Sequence, residues 1–297
     1  VLGLTLVACD LDVDTDPDTD PDNGNLVEAV GANKGYLTAD GKYYTDYASF
    51  DDEQQAAKEL SIKIAEEGNV LLKNENNVLP LSTDVKNVTL FGMHSIDLIP
   101  SGGGSAQGSL GNNGIEPSTV RGALENAGYT VNPKTLELYA THQALGTTQN
   151  ELPVEHYSNS VIGPYAGYGD AAVVTLSRMG SENADLKTNN VVDHADEDEH
   201  ALQLDDNEKA MIKHIKEHFD KVVVLINSSN VMQIPDLDEE KTSDNLGVDA
   251  ILWVGNTGNN AIEAVGTILN GTVNPSGHTV DIWPRDFTKD PTFPNFS

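Results

Sequence analysis

Cysteine and basic residues are scarce in this sequence. The first shortage excludes a disulfide within the chain, and the second argues against a nucleic-acid or anionic-lipid partner. One cysteine, Cys9, in 297 residues leaves no partner for a disulfide within the chain. The 17 Lys and Arg residues are outnumbered by 47 Asp and Glu residues, so the formal net charge is -30. A nucleic-acid partner would need a basic face, and an anionic lipid surface would repel the chain. A neutral ligand would be indifferent to this charge.

The sequence also lacks an initiator Met and a long apolar run at its start. Residues 1–9 are apolar but too few to span a bilayer, and they resemble the end of a secretory signal. The last four, ending in Cys9, resemble a bacterial lipobox, whose cysteine is lipidated; the alternative is a cysteine that ends an uncleaved anchor. We therefore expect a bacterial protein that is extracellular or at the cell surface, with membrane contact only through a lipid anchor on Cys9.

The next segment, residues 10–25, has aspartate at almost every second position. Such a segment repels itself and cannot bury apolar surface, which predicts a disordered acidic linker. A calcium loop is the alternative, but the central Gly and terminal Glu of an EF-hand are absent. Residues 26–50 form a lead-in segment without a firm pattern.

From residue 51 the apolar pattern alternates between helical and strand spacing, which predicts an α/β domain over residues 51–284. Ala57, Leu60 and Ile64 share one face of the first predicted helix. Several strands are apolar on both faces, as in parallel sheets covered by helices on each side. The predicted fold is a doubly wound, mostly parallel sheet sandwiched by helices. Strands are expected at residues 87–92, 129–131, 171–176, 221–227, 248–254 and 279–283, and helices at 51–67, 117–127, 133 onward, 206–219 and 260–269.

One predicted helix has a well-marked start. Asp205 followed by Glu208 matches a capping box, in which each side chain accepts a hydrogen bond from the other residue's backbone amide. Met211, Ile215 and Phe219 then form a stripe at helical spacing, flanked by Ile212, which we expect to be buried.

A charged segment follows the predicted strand 171–176. It places Arg178, Glu182 and Asp185 in a stretch of eight residues just beyond the strand end. Ligand sites of α/β sheets collect at such ends, because the loops there converge on a crevice. The segment is therefore a candidate functional loop.

Four segments, taken in order, resemble the α/β-sandwich domain of glycoside hydrolase family 3, usually called its C-terminal domain. They are residues 65–81, the glycine-rich residues 101–106, the Glu182 segment and residues 269–277. Residues 281–296 look similar to the subgroup in which this sandwich precedes the catalytic barrel. The resemblance implies that residues 285–297 are a connector to a downstream (β/α)8 barrel of the same protein.

In this family the aligned glutamate, Glu182 here, is the general acid/base of a retaining, exo-acting β-glucosidase, and the nucleophile is an aspartate on the barrel. The resemblance thus implies an oligosaccharide or β-glucoside substrate, no cofactor, and a fragment that is inactive alone. Ser181 and Asn183 depart from the family pattern, since many members have Gly on both sides of the glutamate.

Other residues carry weaker functional predictions. Arg178 and Asp185 either contact sugar hydroxyls or hold the loop in place, and Arg178 could instead be a structural ion-pair partner. Gly103, Gly104 and Ser105 either let the backbone approach a sugar or form a flexible connector. His194 and His200 flank an acidic run, but the spacing matches no common metal site, so we expect a solvated segment and no metal.

The sequence is compatible with two other functions. The first is a noncatalytic carbohydrate-binding or interaction module on the same fold. The second is a flavodoxin-like nucleotide binder, supported only by topology and residues 102–105, which lack a Walker motif.

Overall fold

The computed structural model describes residues 26–28, 36–38, 43–44, 47–102, 116–145, 151–182, 186, 200–238 and 246–293. The chain divides into two compact units, Val1–Gln55 and Ala56–Ser297. In the first, strands β1 (Leu26–Glu28), β2 (Tyr36–Thr38) and β3 (Tyr43–Tyr44) pair antiparallel in that order. Cys9 and the acidic linker predicted at residues 10–25 lie outside the described residues.

The second unit is built on a six-stranded sheet in the order β4-β9-β8-β7-β5-β6. All neighbours are parallel except β4, which pairs antiparallel with β9 at one edge. The predicted doubly wound, mostly parallel α/β fold is confirmed. The strands are β4 (Val70–Asn74), β5 (Asn87–Phe91), β6 (Thr130–Val131), β7 (Ala171–Arg178), β8 (Val222–Ser228) and β9 (Ala250–Trp253).

Helices cover both faces of this sheet, and alternate strand residues divide between two cores. Ala172, Val174 and Leu176 of β7 belong to the core under α5, whereas Ala171 and Val173 belong to the core under α2 and α7. No helix of the described residues is long and apolar enough to cross a bilayer. The helices are α1 (Phe50–Gly68), α2 (Val120–Asn126), α3 (Pro133–Ala144), α4 (Asn159–Ile162), α5 (Asp206–Lys216), α6 (Pro235–Asp238) and α7 (Glu263–Leu269).

The direction of the strand order changes between β5 and β7. From β5 the chain moves outward to β6, and then returns to the other side of β5 to form β7, β8 and β9. Crevices for ligands open at this switch point, beyond the carboxyl ends of the strands. Gly92 follows β5 there with φ of 90°, and a Cβ atom on it would lie 2.3 Å from the carbonyl oxygen of Thr175. Glycine is therefore required where the chain passes over β7.

The face of helix α1 that carries Ala57, Leu60 and Ile64 is exposed. Helix α1 forms as predicted, but Leu60 and Ile64 are 58% and 63% exposed. The helix instead packs through polar contacts with α7, including the Lys58–Glu263 ion pair at 2.8 Å. Helical spacing identifies which residues share a face, but it does not say which face another element covers.

The prediction of a strand at residues 279–283 is wrong. This segment has no sheet partner among the described residues, and its apolar side chains Val280 and Ile282 are 93% and 88% exposed. Apolar alternation favours a strand only where a neighbouring strand supplies hydrogen bonds and a covered face.

Candidate active-site loop

The candidate loop leaves the sheet at the carboxyl end of β7, beside the switch point. Strand β7 ends at Arg178, and Glu182 follows four residues later with an exposed side chain. Residues 183–185 and 187–199, including Asp185 and His194, lie outside the described residues. Glu182 is thus at the edge of the sheet where the topology predicts a ligand crevice, and it is accessible from solvent.

Arg178, at the root of this loop, is held by a dense set of hydrogen bonds. Nη1 and Nη2 each donate to one carboxylate oxygen of Glu208 at 2.7 Å. Nε donates to the carbonyl of Ala201 at 2.5 Å, Nη2 to that of Gln203 at 2.6 Å, and Nη1 to that of Ser177 at 2.8 Å. These contacts account for all five N–H donors of a guanidinium group. The geometry matches the structural ion-pair alternative, and a sugar contact of Arg178 stays a prediction.

Glu208 holds its position because it also belongs to the capping box of α5. Its Oε2 accepts from the backbone amide of Asp205 at 3.0 Å, and its own amide donates to Oδ1 of Asp205 at 2.8 Å. The predicted capping box is confirmed, and Met211, Ile212, Ile215 and Phe219 are buried as expected. The sequence pattern did not reveal that the same carboxylate pairs with Arg178, since a capping box is recognised from local hydrogen bonds alone.

The chain after the candidate loop is packed just as firmly. The buried ring of His200 lies against Phe287 and Phe293, with centroid distances of 5.5 and 4.8 Å. Its Nδ1 accepts from the amide of Leu202 at 3.2 Å, and burial lowers the pKa of this imidazole. The carbonyl of Leu202 accepts from the amide of Gln233 at 2.6 Å. The described residues contain no cluster of three metal-ligating side chains.

A second segment, which contains Ile99, crosses the same edge of the sheet. Asn227, near the end of β8, anchors it. This side chain is fully buried, and its Oδ1 accepts from the amide of Ile99 and the hydroxyl of Ser177, each at 2.8 Å. Its Nδ2 donates to the carbonyls of Ile99 at 2.8 Å and Gly255 at 2.7 Å. The segment leads directly to Gly103, Gly104 and Ser105, which lie outside the described residues, so their role stays a prediction.

Beneath this edge is a buried carboxyl group that no sequence motif marks. Glu151 is 8% exposed, and its two carboxyl oxygens accept from the amides of Met93 and Leu152 at 2.8 and 3.0 Å. Burial raises the pKa of Glu151 to about 8, against these two hydrogen bonds, and the negative charge of Glu208 adds to the rise. Glu151 is too enclosed to meet a substrate directly.

The fold and this edge define a class of protein: an α/β sandwich with an acidic loop anchored at the carboxyl end of its third parallel strand. The model of the glycosyl hydrolase family 3 C-terminal domain matches residues 69–296. Because this match covers most of the chain, the protein belongs to glycoside hydrolase family 3.

Relatives and solved structures agree with this assignment. The chain is 30% identical over 250 residues to β-glucosidase A of Butyrivibrio fibrisolvens, covering 75% of this chain and 28% of that protein. It is 28% identical over 251 residues to a β-glucosidase of Ruminococcus albus, covering 80% and 24%. The structure of β-glucosidase 3B from Thermotoga neapolitana in complex with α-D-glucose is 26% identical with a TM-score of 0.65, covering 82% and 33%. The chain therefore spans about a quarter to a third of these proteins.

Proposed function

We propose that this chain is the acid/base-bearing part of a β-glucosidase, and that Glu182 donates the proton. The observation that carries the proposal is the position of Glu182: an exposed carboxyl group four residues beyond β7, at the switch-point edge of a family 3 domain. The substrate we propose is a β-glucoside or an oligosaccharide, and the names of the chain's relatives, which are β-glucosidases, support the first of these.

The proposed chemistry requires a second carboxylate. In a retaining mechanism Glu182 protonates the leaving oxygen while a nucleophilic carboxylate about 5 Å away forms a glycosyl-enzyme, and Glu182 then takes a proton from the attacking water. Glu151 is buried and so is not a candidate nucleophile. We assign the nucleophile to a barrel in another part of the same protein, and we expect this chain alone to be inactive.

The pKa of the acid also depends on this second part. A solvated glutamate has a pKa of about 4.3 and is ionised at neutral pH, so it is a poor proton donor there. Enclosure against another domain would desolvate Glu182 and place it near the nucleophilic carboxylate, and both effects raise the pKa of a carboxyl group. Docking of the barrel would thus complete the site in chemistry as well as in geometry.

Steady-state kinetics of a longer protein that includes the barrel test this proposal, with the present chain assayed beside it. On an unactivated β-glucoside we expect Glu182→Gln to lower kcat about 10²- to 10⁴-fold, the usual contribution of a general acid. Glu217→Gln is the matched control, because Glu217 is an exposed glutamate just after α5, at the opposite end of the sheet. Equal rates for Glu182→Gln and the unmodified protein would refute the assignment.

The amino-terminal residues suggest where the enzyme acts. We propose export to the cell surface of a bacterium, with a lipid on Cys9. Mass spectrometry of the amino-terminal peptide tests this in a bacterial host that processes lipoproteins. We expect a diacylated Cys9 in the membrane fraction and release of a Cys9→Ser variant; an unmodified Cys9 would refute the anchor.

A further inference from the structure

We infer that Arg178 and Glu208 are positioning residues for Glu182: together they clamp the two ends of the segment that carries this carboxyl group. The inference rests on the proposed role of Glu182. It goes beyond that role because it assigns a catalytic consequence to two largely enclosed residues that need not touch the substrate.

The first step is the connectivity of the contacts. Arg178 is the last residue before segment 179–199, and the carbonyls it binds, those of Ala201 and Gln203, are almost the first acceptors after the segment. One side chain therefore joins the departing and returning ends of a stretch of 21 residues. Bringing the two ends of such a stretch together costs conformational entropy. The hydrogen bonds of Arg178 offset this cost at the base of the loop, four residues from Glu182.

The second step is the role of Glu208. Its two oxygens meet the two outer nitrogens of Arg178 in a bidentate pair, which fixes the plane of the guanidinium group as well as its position. The side chains of Arg178 and Glu208 are only 12% and 7% exposed, so water competes little for these bonds. Glu208 is itself fixed to the start of α5 through the amide of Asp205. The start of α5 therefore fixes Glu208, Glu208 fixes Arg178, and Arg178 fixes the base of the loop.

The third step concerns the physical purpose of the pair. A buried ion pair contributes little net stability, because desolvation offsets most of the attraction between the charges. Proton transfer is far more demanding, since a displacement of about 1 Å in a catalytic group can lower a rate about 10²-fold. We therefore expect the clamp to matter more for the rate of protonation than for folding.

The test uses the leaving-group dependence of hydrolysis by the longer protein. Aryl β-glucosides with basic leaving groups need a proton from the acid, whereas 2,4-dinitrophenolate departs without one. Glu208→Gln keeps the size and the cap of the residue but loses its charge, and Arg178→Lys keeps the charge but loses the fork. We expect each variant to lower kcat/KM at least about 10-fold for phenyl β-glucoside and less than about 3-fold for the dinitrophenyl substrate.

Three results separate the explanations. If Glu182→Gln shows this leaving-group pattern but the two clamp variants lower all rates equally, or lower none, the clamp is refuted and the acid assignment stands. If Glu182→Gln itself shows no leaving-group dependence, the proposed function fails, and the clamp fails with it. The pattern in all three variants supports both.

Leaving one charge of a buried pair unpaired could prevent folding, so a second variant is needed. The double variant Arg178→Met/Glu208→Gln removes both charges together, which avoids an unpaired buried ion. Circular dichroism tests whether this variant folds, and we expect it to show the same leaving-group pattern. The matched control is Arg121→Lys and Glu125→Gln in the exposed ion pair of α2, with an Nε to Oε1 distance of 2.8 Å, where no change is expected. A folded double variant without the pattern would overturn the inference.

Discussion

Replacing Asn227 by Ala should release the segment around Ile99 from the carboxyl edge of the sheet and lower the free energy of unfolding. This side chain makes four hydrogen bonds from a fully buried position, two of them to the backbone of Ile99. The other two join Ser177 on β7 and Gly255 after β9. A single amide thus holds together the ends of two strands and the segment approaching residues 103–105.

The magnitude follows from these four bonds. A buried hydrogen bond contributes about 1 kcal/mol net, and a partner left unsatisfied costs about 1–3 kcal/mol, so the loss is about 4 kcal/mol or more. That is a large part of the total stability of a domain, about 5–15 kcal/mol. Asn227→Asp should be almost as harmful, because it places a carboxylate oxygen against the carbonyls of Ile99 and Gly255.

Urea unfolding followed by tryptophan fluorescence measures this change. Trp253 is a suitable reporter, since its indole nitrogen donates to the carbonyl of Ser228 at 2.7 Å, one residue from Asn227. The matched control is Thr175→Val on the neighbouring strand β7, where the buried hydroxyl makes no hydrogen bond. This control should equal or exceed the wild-type stability by up to about 1 kcal/mol. A loss below about 1 kcal/mol for Asn227→Ala would refute the reasoning.

Two further predictions concern the buried parts of the sandwich. The raised pKa of Glu151, about 8 against an ordinary 4.5, means that its contribution to stability is full below pH 4.5 and is lost as the pH rises toward 8. Glu151→Gln does not titrate, so in urea unfolding its stability relative to wild type should rise by roughly 3–5 kcal/mol between pH 4.5 and 8.5; a constant difference would contradict this. Gly266→Ala should lower the thermal midpoint despite its gain in helix propensity, because the added Cβ lies 2.2 Å from the carbonyl oxygen of Ala123. An unchanged or higher midpoint would show that α2 and α7 can separate at little cost.

Several elements were predictable because their signals are local. Helix α5 begins where the Asp205–Glu208 capping box predicts, since both hydrogen bonds form within four residues. Strand β8 is buried along its whole length, as its unbroken apolar run indicates. The position of the candidate loop was predictable too, because the apolar run of β7 shows in the sequence where the strand ends and the loop begins.

Other features depend on partners that are distant in sequence. The outward face of α1 follows from the position of α7, which meets Lys58 with Glu263 and leaves Leu60 and Ile64 exposed. The segment at residues 279–283 has strand-like alternation but no neighbouring strand. In both cases the residue pattern is real, and the missing information is which surface lies opposite.

The sequence by itself determined most of the helices and parallel strands of the sandwich, the family resemblance and the location of Glu182 just beyond a buried strand. Periodicity, capping and motif order are properties of neighbouring residues, so they can be read without a structure. Only the tertiary structure decided that Arg178 is bound to Glu208, 30 residues away, and that Glu151 is buried beneath Met93. Such contacts form only when the sheet brings separate loops to one edge, and there the choice of partner depends on distances that no local pattern contains.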